Sequence, residues 1–265
     1  MTGMSLPTDL NQPIGVFDSG MGGLTVLRAL RSALPQERFV YLGDTARLPY
    51  GTKSADTVRR YALQASDKLV EVGVKAVVVA CNTASATALP ALEARFPGLP
   101  IYGVVQPGAA AAAASGGEVA LLATEGTVRG YAYQRALLDR GVRVVRARSA
   151  SLLVALAEEV HVAADIERAV VGDYLQGLVK GCRTLLLGCT HFPVFVPTIN
   201  ALLGEGIQVV DSASTTAAEV AATLPRSDNG DGECTFLVTD GISRFQRIGP
   251  RFLGAPLDDV QLVDV

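Results

Sequence analysis

Charge is scarce in this chain of 265 residues: Asp, Glu, Lys and Arg make up 18% of it, and the formal net charge is −3. That balance leaves no broad basic surface and argues against a dedicated nucleic-acid binder, with a local patch among the 19 arginines as the one route left to that role. Cysteine and histidine are scarcer still, at four and two. Cys81, Cys182, Cys189 and Cys234 are too sparse for a disulfide framework and are expected to include thiols in a reducing cytosol. There is no CxxC pair, so the strongest local zinc signature is missing. No apolar run approaches the roughly 20 residues that a membrane-spanning helix needs. Residues 1–12 lack the basic start and apolar stretch of a signal peptide. The expectation is a soluble cytoplasmic protein with no membrane partner.

Short Val, Ile and Leu runs alternate with longer Ala-rich, helix-compatible segments. Strands are expected at 14–18, 39–44, 76–81, 101–105, 119–124, 142–147, 184–189, 207–212 and 236–240, with a polar turn at 226–233. Such runs suit parallel strands covered on both faces, with crossover helices between them. The fold class is therefore α/β. The length sets a soft prior near two domains and allows about 70% of the extended-chain surface to be buried.

Strand order carries a further signal. Asp18 ends one run and opens "DSGMGGL", and Thr124 ends another and opens "TEGTVRG", 106 residues later. Cys81 and Cys189 end comparable runs 108 residues apart, and the pair Val104 and Val105 matches Val209 and Val210 at 105. The plain reading is a duplicated α/β unit, with one domain of residues 1–100 plus 211–265 and a second of 101–210. Ligands of open parallel sheets bind beyond the carboxyl ends of the strands. Two such ends facing each other bring one cysteine to the cleft from each side. Either cysteine alone reads as a packed core thiol, because free cysteine is among the most buried residue types.

Six stretches now add up to more than a periodicity: "GVFDSGMGGL" (15–24), "YLGDTARLPYG" (41–51), "CNTAS" (81–85), "GVVQPG" (103–108), "LLATEGTV" (121–128) and "GCTHFP" (188–193). In this order they resemble the glutamate racemase family, whose members interconvert L- and D-glutamate for peptidoglycan without a cofactor. The resemblance implies two pseudo-symmetric α/β domains with mainly parallel sheets, the active site between them, and a homodimer. It implies no cofactor and no metal. Some members are also partners of DNA gyrase, and the resemblance alone extends that interaction to this chain.

Two cysteines suit such a reaction. Inverting an α-carbon takes a base on one face and an acid on the other, and a thiolate and a thiol can exchange those duties. A free thiol has a pKa near 8.5, so local charge or hydrogen bonds must support the thiolate. By resemblance, Cys81 serves one face with Asp18 as its polar partner, and Cys189 serves the other with His191. Glu158 is a further support for the second face, and Asp44 supports the site without acting in catalysis. Substrate contacts fall by resemblance on Asp18, Ser19, Tyr50, Gly51, Asn82, Thr83, Thr190 and His191. Thr124 and Thr127 occupy the corresponding turn of the second unit. Each has a structural reading: Asp18, Thr124 and Thr127 as helix caps, Asp44 as a turn former, His191 as a satisfied structural histidine, and Glu158 as a solvated helix residue beside Glu159.

The chain departs from the family in two places. Gly130 stands where a serine is expected, followed by Tyr131 and Tyr133. The segment before Glu158 reads "SASLLVALAEE", without the family's cysteine and prolines. Cys182 and Cys234 fall outside the paired motifs and are not catalytic candidates. Two other readings compete: an aspartate racemase of the same mechanism, and a metal-binding regulator built on Cys81, Cys189 and His191.

Overall fold

The structure is a computed structural model that describes residues 9–143, 145–227 and 230–265. The described residues form ten strands: β1 (Ile14–Asp18), β2 (Phe39–Gly43), β3 (Ala76–Val79), β4 (Ile101–Gly103), β5 (Val119–Ala123), β6 (Val145–Ser149), β7 (Thr184–Gly188), β8 (Gln208–Asp211), β9 (Cys234–Val238) and β10 (Val260–Leu262). They form a six-stranded sheet, β10-β9-β2-β1-β3-β4, and a four-stranded sheet, β6-β5-β7-β8. Every strand pairing is parallel.

The duplication is visible in the strand order. The run β2-β1-β3-β4 of the first sheet recurs as β6-β5-β7-β8 in the second. Equivalent strands start 105 to 108 residues apart, from Ile14 against Val119 to Ala76 against Thr184. The central strands β1, β5 and β7 are buried along their whole length. Their side chains alternate between faces: Ile14 and Val16 enter one cluster and Phe17 another, and Ala120 and Leu122 share the cluster of Ile14 and Val16. The two units thus share one apolar core, which fixes their sheets relative to each other. Burial on both faces explains why these strands read as continuous apolar runs.

Several expectations need correction. Val104 and Val105 are not in a strand: β4 ends at Gly103, and a helix runs from Val105 to Ala114. Ser85 Oγ accepts from the Val104 backbone N–H at 2.9 Å, and a Cβ on Gly103 would fall 2.5 Å from that same oxygen. The close packing ends the strand. The match of Val104 and Val105 to Val209 and Val210 is therefore not a structural equivalence, since the latter pair lies within β8. β4 pairs with β3 at the edge of the six-stranded sheet. The strand expected at 142–147 is described as Val145–Ser149, after a turn in which Gly141 has φ +82°; residue 144 lies outside the described residues. β9 begins two residues early because Cys234 pairs in register with Phe39, and β10 has no forerunner in the sequence reading. Residues 228 and 229 of the expected polar turn, and residues 1–8 of the first unit, lie outside the described residues. Among the described residues no helix is long and apolar enough to cross a membrane.

One buried ion pair anchors the start of the first sheet. Lys75 Nζ lies 2.6 Å from Glu37 Oε2, both side chains nearly inaccessible. The ammonium also donates to the Leu10 carbonyl at 2.7 Å, and Glu37 Oε1 accepts from the Ser227 N–H at 2.8 Å. Lys75→Met strands the carboxylate and is expected to cost about 3–5 kcal/mol in urea unfolding, with Glu37→Gln in the same chain recovering part of that loss. Additive losses in the double variant would show that the two side chains are not coupled.

Candidate active site

The cysteine positions follow from the sheets. Cys81 lies just beyond β3 and caps the helix Asn82–Arg95, and Cys189 lies just beyond β7. Strand carboxyl ends at equivalent positions of the two units point their following residues at one cavity of about 310 Å³, lined by both thiols. The volume lies at the small end of the range for small-molecule pockets.

Most of the expected residues meet here. Ser19, Tyr50, Gly51, Asn82, Thr83, Thr124, Glu158, Thr190 and His191 line the cavity with Cys81 and Cys189. Asp18, Asp44 and Thr127 do not; each is fully buried behind it. Asp18 accepts from the Gly20 N–H at 3.0 Å and from Thr190 Oγ1 at 3.4 Å, tying the first loop to the second unit. Burial pushes its carboxyl above the usual range, against the charge of His191 and hydrogen bonds from Gly23, Gly20 and Thr190. Asp44 accepts from Tyr50 Oη, from Arg47 Nε at 2.6 Å and from Thr239 Oγ1 at 2.9 Å. It therefore fixes the tyrosine that forms one wall.

The loop "DSGMGG" needs Gly22 and Gly23 for contact rather than for turning. A Cβ on Gly22 would fall 2.3 Å from His191 Nδ1 and 2.5 Å from Thr190 Oγ1. On the other wall a Cβ on Gly51 would lie 2.9 Å from that of Thr124. Thr83 bridges the units here: its hydroxyl lies 3.0 Å from that of Thr124 and 3.3 Å from that of Thr127. Thr124 and Thr127 are themselves 2.9 Å apart.

The surroundings of the two thiols differ. Cys81 Sγ donates to Ser19 Oγ at 3.5 Å. Burial and the nearby Asp18 charge push its pKa up to about 12, outweighing the hydrogen bonds from Ser19 and Ala84. These surroundings favour the protonated thiol at Cys81. Cys189 Sγ shares a 3.8 Å hydrogen bond with His191 Nδ1, and His191 Nε2 lies 2.9 Å from Glu158 Oε1. Burial opposes the imidazolium, but hydrogen bonds to Cys189 and Glu158, and the charges of both, push the pKa of His191 up to about 10. For Glu158, burial is outweighed by His191 and Arg244, which hold its carboxyl below the usual range. A charged imidazolium beside Cys189 is the environment a thiolate requires.

One residue escaped the sequence reading, and a second was named in it without a role. Arg244, on the helix Ile242–Ile248, donates from Nη2 to Glu158 Oε2 at 2.8 Å and lines the cavity; "ISRFQRI" carries nothing to distinguish it from any surface helix. Tyr133 Oη donates to Asn82 Oδ1 at 2.6 Å, so the second tyrosine after Gly130 is a buried support, whereas Tyr131 is 60% exposed. Of the neighbouring glutamates, Glu158 is 8% exposed and bonded to His191, while Glu159 is exposed. Cys182 is buried below β7 and donates to the Leu178 carbonyl at 3.7 Å; it and Cys234 are not among the residues lining the cavity. Among the described residues no group of three or more His, Cys, Asp or Glu could hold a metal ion, so the metal-binding reading lacks a ligand set.

A duplicated parallel α/β fold, with one thiol from each copy in a shared cleft, defines the class of two-base racemases and related enzymes. Comparison with known proteins agrees. The Asp/Glu/hydantoin racemase family model matches residues 14–220. The glutamate racemase of Geobacter metallireducens is 46% identical over 95% of this chain and 96% of its own. Among solved structures, glutamate racemase from Thermus thermophilus in complex with β-chloro-D-alanine superposes with a TM-score of 0.87 at 42% identity, covering 97% of this chain and 98% of that one. The Francisella tularensis glutamate racemase in complex with D-glutamate gives 0.89 at 31% identity, covering 96% and 98%. The chain belongs to the Asp/Glu/hydantoin racemase family, in its glutamate racemase branch.

Proposed function

We propose that this chain interconverts L- and D-glutamate without a cofactor, by proton transfer between Cys81 on one face of the α-carbon and Cys189 on the other. One observation carries the reading: two thiols from equivalent strand ends line a single cavity, with His191 hydrogen-bonded to one of them and Ser19 to the other. In one direction the Cys189 thiolate takes the α-proton. The electron pair left on carbon is drawn into the α-carboxylate, and the Cys81 thiol delivers its proton to the opposite face. The other enantiomer reacts with the two roles exchanged. Hydroxyl and amide groups of Ser19, Asn82, Thr83, Thr124 and Thr190 supply donors for two carboxylates, and Tyr50 and Gly51 close the wall.

D-glutamate made this way serves peptidoglycan synthesis in the cytoplasm, as the family membership supports. The domain division at residues 1–100 plus 211–265 and 101–210 belongs to the same proposal. A homodimer and a DNA gyrase contact rest on the resemblance alone.

The test incubates metal-free, cofactor-free protein separately with each enantiomer of glutamate and of aspartate, and follows chiral composition. Racemic glutamate from either side is the expected result. Faster aspartate turnover with little on glutamate would transfer the assignment to aspartate racemase, and inactivity toward both would remove the racemase reading.

A further inference from the structure

The Cys189 end of the cavity is assembled from both units. Glu158 caps the helix Ser151–Ala157 of the four-stranded unit, whereas Arg244 comes from the helix that follows β9 of the six-stranded sheet. The two oxygens of Glu158 are divided, Oε1 to His191 at 2.9 Å and Oε2 to Arg244 at 2.8 Å. The same C-terminal segment grips the surrounding backbone. Arg251 donates to the Glu159 carbonyl at 2.7 Å and to that of Leu156 at 3.4 Å, and Phe252 meets the His191 ring edge-on at 5.2 Å.

The chemistry gives this bridge a direction. Glu158 and His191 are both buried, with side chains 9% and 8% exposed, so neither can draw on water for its charge. Arg244 is half-exposed at 48% and keeps its charge at every working pH. A guanidinium fixed on one oxygen holds Glu158 anionic and stops the carboxylate from rotating away from His191. The groups facing the His191 and Glu158 pair are Cys189, Asp18, Arg244 and, at the cavity wall, Glu159. Of these only Arg244 is a permanent cation.

We propose that Arg244 is a positioning residue for proton transfer at Cys189, acting from across the cleft through Glu158 and His191. The proposal rests on the racemase reading and assigns the C-terminal helix to one half of the reaction. Cys81, on the other wall, has no such relay, so the two half-reactions depend on Arg244 unequally.

The test compares Arg244→Met and Arg244→Lys with wild type, and with Arg247→Met as a control one turn further along the same exposed face. Arg244→Met is expected to lower kcat/KM about ten- to a hundredfold, the scale of a hydrogen bond to a charged group. The loss must be equal in both directions, because enantiomers have equal free energies. The asymmetry is read from α-deuterated substrates. The primary isotope effect should rise for the enantiomer whose α-proton Cys189 removes, identified with a Cys189→Ser variant, and fall for its mirror image. Arg244→Lys should recover part of the rate, and Arg247→Met should match wild type. Wild-type kcat/KM in Arg244→Met would overturn the proposal, as would a lowered rate with both isotope effects unmoved, which marks a structural loss. A wild-type protein without racemase activity would instead overturn the reading on which the proposal stands.

Discussion

Cys81→Ala and Cys189→Ala are each expected to lose glutamate racemisation by about 10³- to 10⁴-fold, the upper range for removing a positioned acid or base. Either loss breaks the exchange completely, because each turnover uses one thiol to remove a proton and the other to return one. Cys182→Ala and Cys234→Ala should racemise at the wild-type rate, since neither thiol lines the cavity. Urea unfolding and binding of a non-reacting glutamate analogue separate a missing base from a missing pocket. Folded, analogue-binding alanine variants with wild-type turnover would exclude the two-thiol mechanism.

The second large effect belongs to His191→Asn, which keeps a hydrogen-bonding side chain and removes the charge. We expect kcat/KM to fall about 10²- to 10³-fold, less than for the thiols because the base itself remains. The same variant carries a stability signature. The folded pKa of His191, about 10, lies above its ordinary value of 6.5. Stabilisation from the imidazolium is therefore fully present below about pH 6.5 and is lost as pH rises through about 10. Wild type should lose stability relative to His191→Asn across that window, with a difference in slope approaching one proton, or about 1.4 kcal/mol per pH unit. Parallel stability curves between pH 6.5 and 10 would show that the buried imidazole is neutral.

Much of the site was legible because it sits on features that leave a local mark. Strand ends followed by Asp18, Cys81, Thr124 and Cys189 are apolar runs that stop at a polar residue, and the repeated offsets expose which strands correspond. His191 and Thr190 follow Cys189 directly. Glu158 was harder, since adjacent glutamates differ only in which one turns inward, and that is decided by His191 and Arg244. Arg244 was illegible for a physical reason: its partner lies 86 residues away in the other unit, and its helix keeps an ordinary amphipathic pattern. The buried pair of Lys75 and Glu37 left no local mark for the same reason. The Val104 and Val105 error has the opposite origin. β-branched residues favoured a strand, while packing of Gly103 and the Ala-rich stretch after it started a helix instead.

The two thiols of the one cavity have unequal surroundings. Cys81 sits near buried Asp18 and keeps its proton, whereas Cys189 sits beside His191.

The most direct measurement takes Cys81→Ser and Cys189→Ser into deuterated water with each glutamate enantiomer separately and follows α-hydrogen exchange by proton NMR and mass. A surviving thiolate on one face should exchange the α-hydrogen of one enantiomer without inverting it, and the enantiomer that exchanges should differ between the two variants. Exchange of the same enantiomer by both, or full racemisation by either, would place the two thiols on one face or remove one of them from the chemistry, and would contradict the opposed pair.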